Sequence, residues 1–221
     1  MQVEIWSDVA CPFCYLGKRR FEKALAALAA VPRAEDVSVE WKSFQLNPGL
    51  KTDPNVRIEE YLARAKGIDV ATARQLNERV ARMGEEDGLV YRFDKLVVAN
   101  TFDAHRLIQF AKDGGKQNEV EERLFRAYFT EGRNVADRAT LVELANDVGL
   151  DGDELASALE EGKHAAGVRA DIDEARQLGI HGVPFFVFDR KYAVSGAQPV
   201  EVFERALGEA RAASSVLRPA S

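Results

Sequence analysis

The stretch Val3-Glu4-Ile5-Trp6-Ser7-Asp8-Val9-Ala10-Cys11-Pro12-Phe13-Cys14-Tyr15-Leu16-Gly17-Lys18 decides the reading of this chain. Val3 to Ser7 is a short β-prone run. From Pro12 onward, Leu16, Phe21, Leu25 and Leu28 recur at the spacing of one helix face. Pro12 suits the first helical position, where its missing N–H costs nothing. Two cysteines therefore open a helix directly after a strand. A free cysteine titrates near about 8.5, so little thiolate exists at neutral pH. At a helix start, Cys11 would meet unpaired backbone N–H groups and the positive end of the dipole, and both favour the anion. Cys14, one turn on, can reach the Cys11 sulfur, so one thiol can attack a partner and the other resolve the mixed disulfide. Burial for packing alone accounts poorly for two cysteines in this context. A zinc site would need two further ligands, and His105, His164 and His181 lie far off in sequence without forming a ligand pair. The context favours redox chemistry and no metal.

The rest of the chain sets the limits of that reading. At 221 residues it has room for one domain, or one core with a sizeable insertion. Its 30 Lys and Arg face 36 Asp and Glu, a net charge of −6, which argues against a nucleic-acid binder because phosphate contacts need a basic footprint. The short basic run Lys18-Arg19-Arg20 reads as a solvated helix face. No run reaches the roughly 18 apolar residues of a membrane helix, so no membrane partner is expected. Met1 leads directly into a strand without a leader pattern, and two cysteines cannot make a disulfide scaffold. The expected location is the cytoplasm.

Val31-Pro32 should end the first helix, and Val37 to Leu46 reads as a second strand closed by Asn47-Pro48-Gly49. A long helical block follows, punctuated at Gly67, Gly84, Gly114-Gly115, Gly132, Gly149, Gly162 and Gly179, with Asp151 and Glu154 as a capping box. The β signal returns at Gly182, with strands over Val183 to Phe188 and Lys191 to Ser195 around Asp189-Arg190. A closing helix carries Val202, Phe203, Ala206 and Leu207 on one side, and a frayed tail is expected from Ala213. The fold class is α/β. Residues 1–54 and 180–213 form one mixed sheet with flanking helices, and 55–179 is an all-helical insertion. This architecture does not by itself select a chemistry.

The Cys-Pro-Phe-Cys pair at a strand-to-helix junction, the Gly182-Val183-Pro184-Phe185-Phe186 segment and the helical insertion between them resemble the DsbA family of thioredoxin-like proteins. Tyr15-Leu16-Gly17-Lys18, Asn100-Thr101 with Ala104-His105-Arg106, and Tyr192-Ala193-Val194-Ser195-Gly196-Ala197-Gln198-Pro199 are similar to the FrnE-like branch. The likeness covers nearly the whole chain. It implies a thioredoxin-like fold and a thiol–disulfide oxidoreductase, a protein disulfide reductase or isomerase. Cys11 would be the nucleophile and Cys14 the resolving thiol. Pro184 would be a cis-proline facing them, against the base rate of about 5–6% for X–Pro bonds. Val183 would pair with substrate backbone as an added strand. Pro12, Phe13 and His181 complete the expected substrate-binding set. The partners would be protein or small-molecule thiols and disulfides. No cofactor is expected beyond the cysteine pair, with glutathione a conceivable co-substrate.

The chain also departs from the pattern. Phe13 stands where periplasmic relatives carry a histidine that helps hold the thiolate, which argues against an extremely oxidising couple. Ile5 occupies the place, six residues before the first cysteine, at which thioredoxins and many relatives bury a carboxylate. Asp8 is the nearest acid and is read as a helix cap. No second cysteine pair follows. His105 reads as a hydrogen-bonded core histidine. Two rival functions share the fold. One is a glutathione-dependent isomerase or transferase of the 2-hydroxychromene-2-carboxylate isomerase or kappa type, in which Cys14 would be idle. The other is a non-catalytic polyketide-cluster accessory or chaperone-like binder using the Val183-Pro184 groove.

Overall fold

Every residue of strand β1 (Gln2–Ser7) after the first is buried, because β1 lies inside a four-stranded sheet ordered β2-β1-β3-β4. The computed structural model describes residues 1–29 and 37–216. β2 (Ser38–Ser43) runs parallel to β1, with Ile5 opposite Trp41. β3 (Phe185–Phe188) and β4 (Tyr192–Ser195) return antiparallel, with Ile5 opposite Phe186 and Phe186 opposite Val194. A strand sends alternate side chains to opposite faces, and β1 uses both. Val3 and Ile5 point into the main core, where Phe21, Phe186 and Phe203 pack edge to face and tilted. Trp6 points the other way, against Ala175 and Ile180, and its Nε1 donates to the Asp171 carbonyl at 3.1 Å. Each large apolar side chain so buried contributes about 1.5–3 kcal/mol.

Helix α1 (Pro12–Ala29) follows β1 and packs beside α9 (Val200–Val216). The helix extends through Val216, past the expected fraying point at Ala213. The expected helix end at Val31-Pro32 lies outside the described residues. β2 is shorter than the Val37–Leu46 run, since pairing with β1 stops at Ser43. Between β2 and β3 come α2 (Ile58–Lys66), α3 (Val70–Glu86), α4 (Phe102–Phe110), α5 (Gln117–Phe125), α6 (Arg138–Asp147), α7 (Gly152–Glu160) and α8 (Ala165–Gln177), with a π turn over Arg126–Glu131. This is an α/β fold with a helical insertion. The apolar core is continuous through it, with Tyr15 of α1 stacked on Phe125 of α5 at 5.0 Å. Asp69, Asp137 and Asp151 cap their helices, and Asp151 accepts from the Asp153 and Glu154 N–H groups.

Two sequence readings are corrected. Gly84 does not end α3, which continues to Glu86. It lies inside the helix because a Cβ there would come within 2.3 Å of the Tyr91 ring. Nor is Lys18-Arg19-Arg20 a solvated face. Lys18 is 1% exposed and pairs with Glu22 and, at 2.8 Å, with Glu122 of α5. Arg19 reaches Glu22 and Glu122 at 2.7 and 2.6 Å, and Arg20 reaches Asp87 at 2.7 Å. The insertion covers this face of α1, and its Glu122 and Asp87, with Glu22 of α1 itself, supply the carboxylates that make burying the charges tolerable.

Candidate functional site

The β1–α1 loop is tied down by backbone bonds. The Cys11 N–H donates to the Asp8 carbonyl at 2.9 Å, and the Cys14 N–H to the Cys11 carbonyl at 3.0 Å. Cys11 thus precedes the first turn of α1 and Cys14 lies within it, which is how the sequence spacing reads. Both are free thiols, and both are buried, at 4% and 1% exposure. Cys11 is the less covered of the two, by a small margin. What stands open beside it is Phe13, at 41%.

The second half of the site arrives from the far end of the chain. The Val183–Pro184 peptide bond is cis. The Cys11 thiol donates to the Val183 carbonyl at 3.5 Å. Pro184 is held from two sides. Its carbonyl accepts from the Gly196 N–H at 2.8 Å, and its ring presses on α1 at Gly17, where an added Cβ would come within 2.9 Å of Pro184 Cγ. Gly17 lets the proline loop lie against the dithiol helix. Its isolated place within a helical pattern is the sequence signal for such a close approach. Tyr91 adds a third tie, donating from its hydroxyl to the Pro12 carbonyl at 2.7 Å. Burial, and then the nearby Cys11, push the Tyr91 hydroxyl well above its ordinary range, so it stays a donor. No sequence signal singled out Tyr91. Val183 is half-buried. His181 is exposed.

Behind Ser7, at the end of β1, lies a buried polar cluster that reading the sequence missed. Glu121 of α5 is fully buried, and the Ser7 hydroxyl donates to its Oε1 at 2.6 Å. Burial pushes the Glu121 carboxyl up to about 7. The Ser7 hydrogen bond and the fields of His105 and Lys18 work against that rise, and Asp8 adds to it. Cys14 is driven the same way. Burial and then the adjoining Cys11 raise its thiol well above the usual range, opposed by the Asp8 backbone and the Ser7 hydroxyl. Asp8 is not a helix cap. Its carboxylate accepts from the Ala10 N–H at 3.2 Å and the Leu46 N–H at 2.7 Å, which joins the dithiol loop to the segment after β2. His105 is buried as expected, but its ring nitrogens find no hydrogen-bond partner, and Nε2 stands 3.5 Å from Asp8 Oδ1. The place of Ile5 holds no acid; the buried acid comes from the insertion instead.

Residues 2–208 match the family described as the DSBA-like thioredoxin domain. A probable DsbA oxidoreductase from Streptomyces coelicolor is 42% identical and superposes with a TM-score of 0.88, over 100% of this chain and 92% of that one. An uncharacterized Bacillus subtilis protein, YwbO, is 31% identical over 211 residues, which are 95% of this chain and 96% of its own. A 2-hydroxychromene-2-carboxylate isomerase shares the fold at 15% identity, with a TM-score of 0.69 over 99% of this chain and 100% of that one. No helix among the described residues is long and apolar enough to cross a membrane.

Proposed function

The chain belongs to the DSBA-like thioredoxin family, and from that premise we propose that it exchanges disulfides with protein partners through Cys11 and Cys14, as a protein disulfide reductase or isomerase. The observation that carries the reading is the Cys11 thiol at 3.5 Å from the Val183 carbonyl, beside cis-Pro184, with Cys14 sealed behind it. In the reducing direction, Cys11 as thiolate attacks one sulfur of the partner disulfide and the other partner sulfur leaves. Cys14 then attacks Cys11 Sγ, closes the Cys11–Cys14 bond and expels the second partner sulfur. Two electrons pass to the partner and no bound cofactor is needed. Val183 and Pro184 offer backbone to an incoming extended chain, with Pro12, Phe13 and His181 as the surrounding contacts. The relative named as a probable DsbA oxidoreductase supports this chemistry. The isomerase likeness supports the fold alone, and Cys14 would be idle in glutathione-activating chemistry. A cysteine complement spent entirely on the pair suits a reducing compartment such as the cytoplasm.

Removing the resolving thiol tests the proposal. Cys14→Ser, incubated with a disulfide-containing protein, should accumulate a covalent adduct that reductant releases, while Cys11→Ser forms none and loses insulin reduction. A glutathione-dependent isomerase would instead form little protein adduct and keep its activity without Cys14. A passive binder would trap nothing and bind its partner unchanged. If Cys14→Ser traps nothing and the intact protein reduces no disulfide, the proposal fails.

A further inference from the structure

Buried polar atoms without partners are costly, and each needs a reason. Among the described residues they are Trp41 Nε1, Asn77 Nδ2, Glu121 Oε2 and both ring nitrogens of His105. His105 alone contributes two, and it is 1% exposed. It belongs to the Asn100-Thr101 and Ala104-His105-Arg106 segments, to which disulfide exchange through Cys11 and Cys14 gives no role. Its Nε2 stands 3.5 Å from Asp8 Oδ1, at ion-pair distance but beyond the length of an ordinary N–H···O bond.

Asp8 is 2% exposed, and three backbone N–H groups depend on it. Its carboxylate accepts from Ala10 at 3.2 Å and from Leu46 at 2.7 Å, and its carbonyl accepts from Cys11 at 2.9 Å. One residue thus fixes both the turn that presents Cys11 and the segment after β2. Helix α4, which carries His105, is tied to the same segment a second time. Just before α4, the Asn100 amide donates to the Pro48 and Leu50 carbonyls at 3.2 and 2.9 Å, and its Oδ1 accepts from the Phe102 N–H at 2.9 Å. Dithiol loop, post-β2 segment and α4 therefore form a closed frame, and Asp8 with His105 makes its last side. A carboxylate sealed from water needs its charge offset, and His105 Nε2 stands where it can do so. Around the pair are Glu121 on α5, which feels both, and Tyr128 in the π turn, which feels Asp8.

We infer that His105 is a positioning residue for Cys11. Its Nε2–H points at the Asp8 carboxylate and steadies it. Asp8 then keeps the Ala10 and Cys11 N–H groups in place, and the attacking sulfur stays against the Val183 carbonyl. Without His105, the sealed carboxylate must shift toward water or take up a proton. Either change disturbs the N–H groups it holds, and the Cys11 turn loosens with them. The inference rests on the oxidoreductase reading and deepens it. A helix of the insertion sets how well the first thiol attacks, without touching the partner or the sulfur.

The first chemical step can be measured alone in the Cys14→Ser form, as the rate of adduct formation with insulin over a range of insulin concentrations. Adding His105→Phe should lower the limiting rate about 10-fold, as expected for a modest misplacement of a reacting atom, and leave the half-saturating concentration unchanged. Asp8→Ala should lower the rate at least as much. The two substitutions together should lower it no further than Asp8→Ala alone, because one residue acts through the other. His105→Gln, which keeps an N–H donor, should recover most of the rate. Nitrogen-15 NMR of labelled histidine in the intact protein reads whether His105 Nε2 carries its proton, and it decides the case if a variant does not fold. Losses that multiply, a glutamine form as slow as the phenylalanine one, a full rate in folded His105→Phe, or an Nε2 without its proton would each overturn the role of His105. Whether Cys14→Ser traps insulin at all reports on the oxidoreductase reading separately.

Discussion

Glu121 and Glu122 are consecutive residues of α5, yet they belong to two regions that treat charge in opposite ways. Glu122 faces the seam between α5 and α1. Burial works against its charge there, but Lys18 and Arg19 prevail, and with the Tyr15 hydroxyl they hold the carboxyl below its ordinary range. Glu121 faces the buried cluster behind Ser7, where one hydroxyl bonds it and no cation among the described residues pairs with it, and burial lifts it to about 7. The seam spends its acids on structure, since every charge there has a partner at contact distance. The pocket leaves an acid able to change its protonation in the range where thiols react.

The comparison predicts opposite pH signatures for the two neighbours. A carboxyl whose folded pKa is raised binds a proton in the native state that the unfolded chain releases, so stability falls as pH climbs from about 4.5 to about 7. The stability of Glu121→Gln relative to the intact protein should therefore improve across that window, by about 3 kcal/mol. Urea unfolding at pH 5 and pH 8 checks this, and a pH-independent difference would break the contrast. Glu122 has the other sign: its contribution is present above the unfolded pKa and is lost as pH falls through the lower folded one. Glu122→Gln should cost about 2 kcal/mol at pH 7, less than a fully sealed ion pair because Glu22 remains with Lys18 and both acids are partly exposed. It should shrink in acid. A Glu122→Gln penalty that does not shrink in acid would mean that the seam holds no depressed carboxyl. The smallest effect is expected at Tyr91→Phe, which removes the bond to the Pro12 carbonyl but keeps the ring. Thermal unfolding should report a loss of about 1 kcal/mol, with adduct formation by the Cys14→Ser form slowed only a few-fold.

Local patterns carried much of the architecture. The helix starting at Pro12 followed from apolar spacing and from proline at the first turn, and most helix ends in the insertion fall at the glycines that mark them. Gly84 breaks that pattern, because a glycine can be required by a neighbouring ring as well as by a turn, and only the Tyr91 contact separates the two cases. Lys18 departs from the solvated face its sequence suggests for a related reason. A basic run looks the same in sequence whether water or a second helix lies over it.

The dithiol could be read from the chain because its parts are sixteen consecutive residues, and strand, turn and helix start are local events that backbone sterics and hydrogen bonding settle among near neighbours. Glu121 could not. The segment Asn118-Glu119-Val120-Glu121-Glu122-Arg123 reads as a charged helix face, and 114 residues separate Glu121 from the serine it bonds. Which of its acids meets water, which meets Lys18 and which is sealed behind Ser7 depends on how α5 is rotated against α1 and β1. That rotation is set by the packing of Tyr15, Phe125 and Phe129 into one aromatic stack, a contact between distant segments that exists only once the chain has folded.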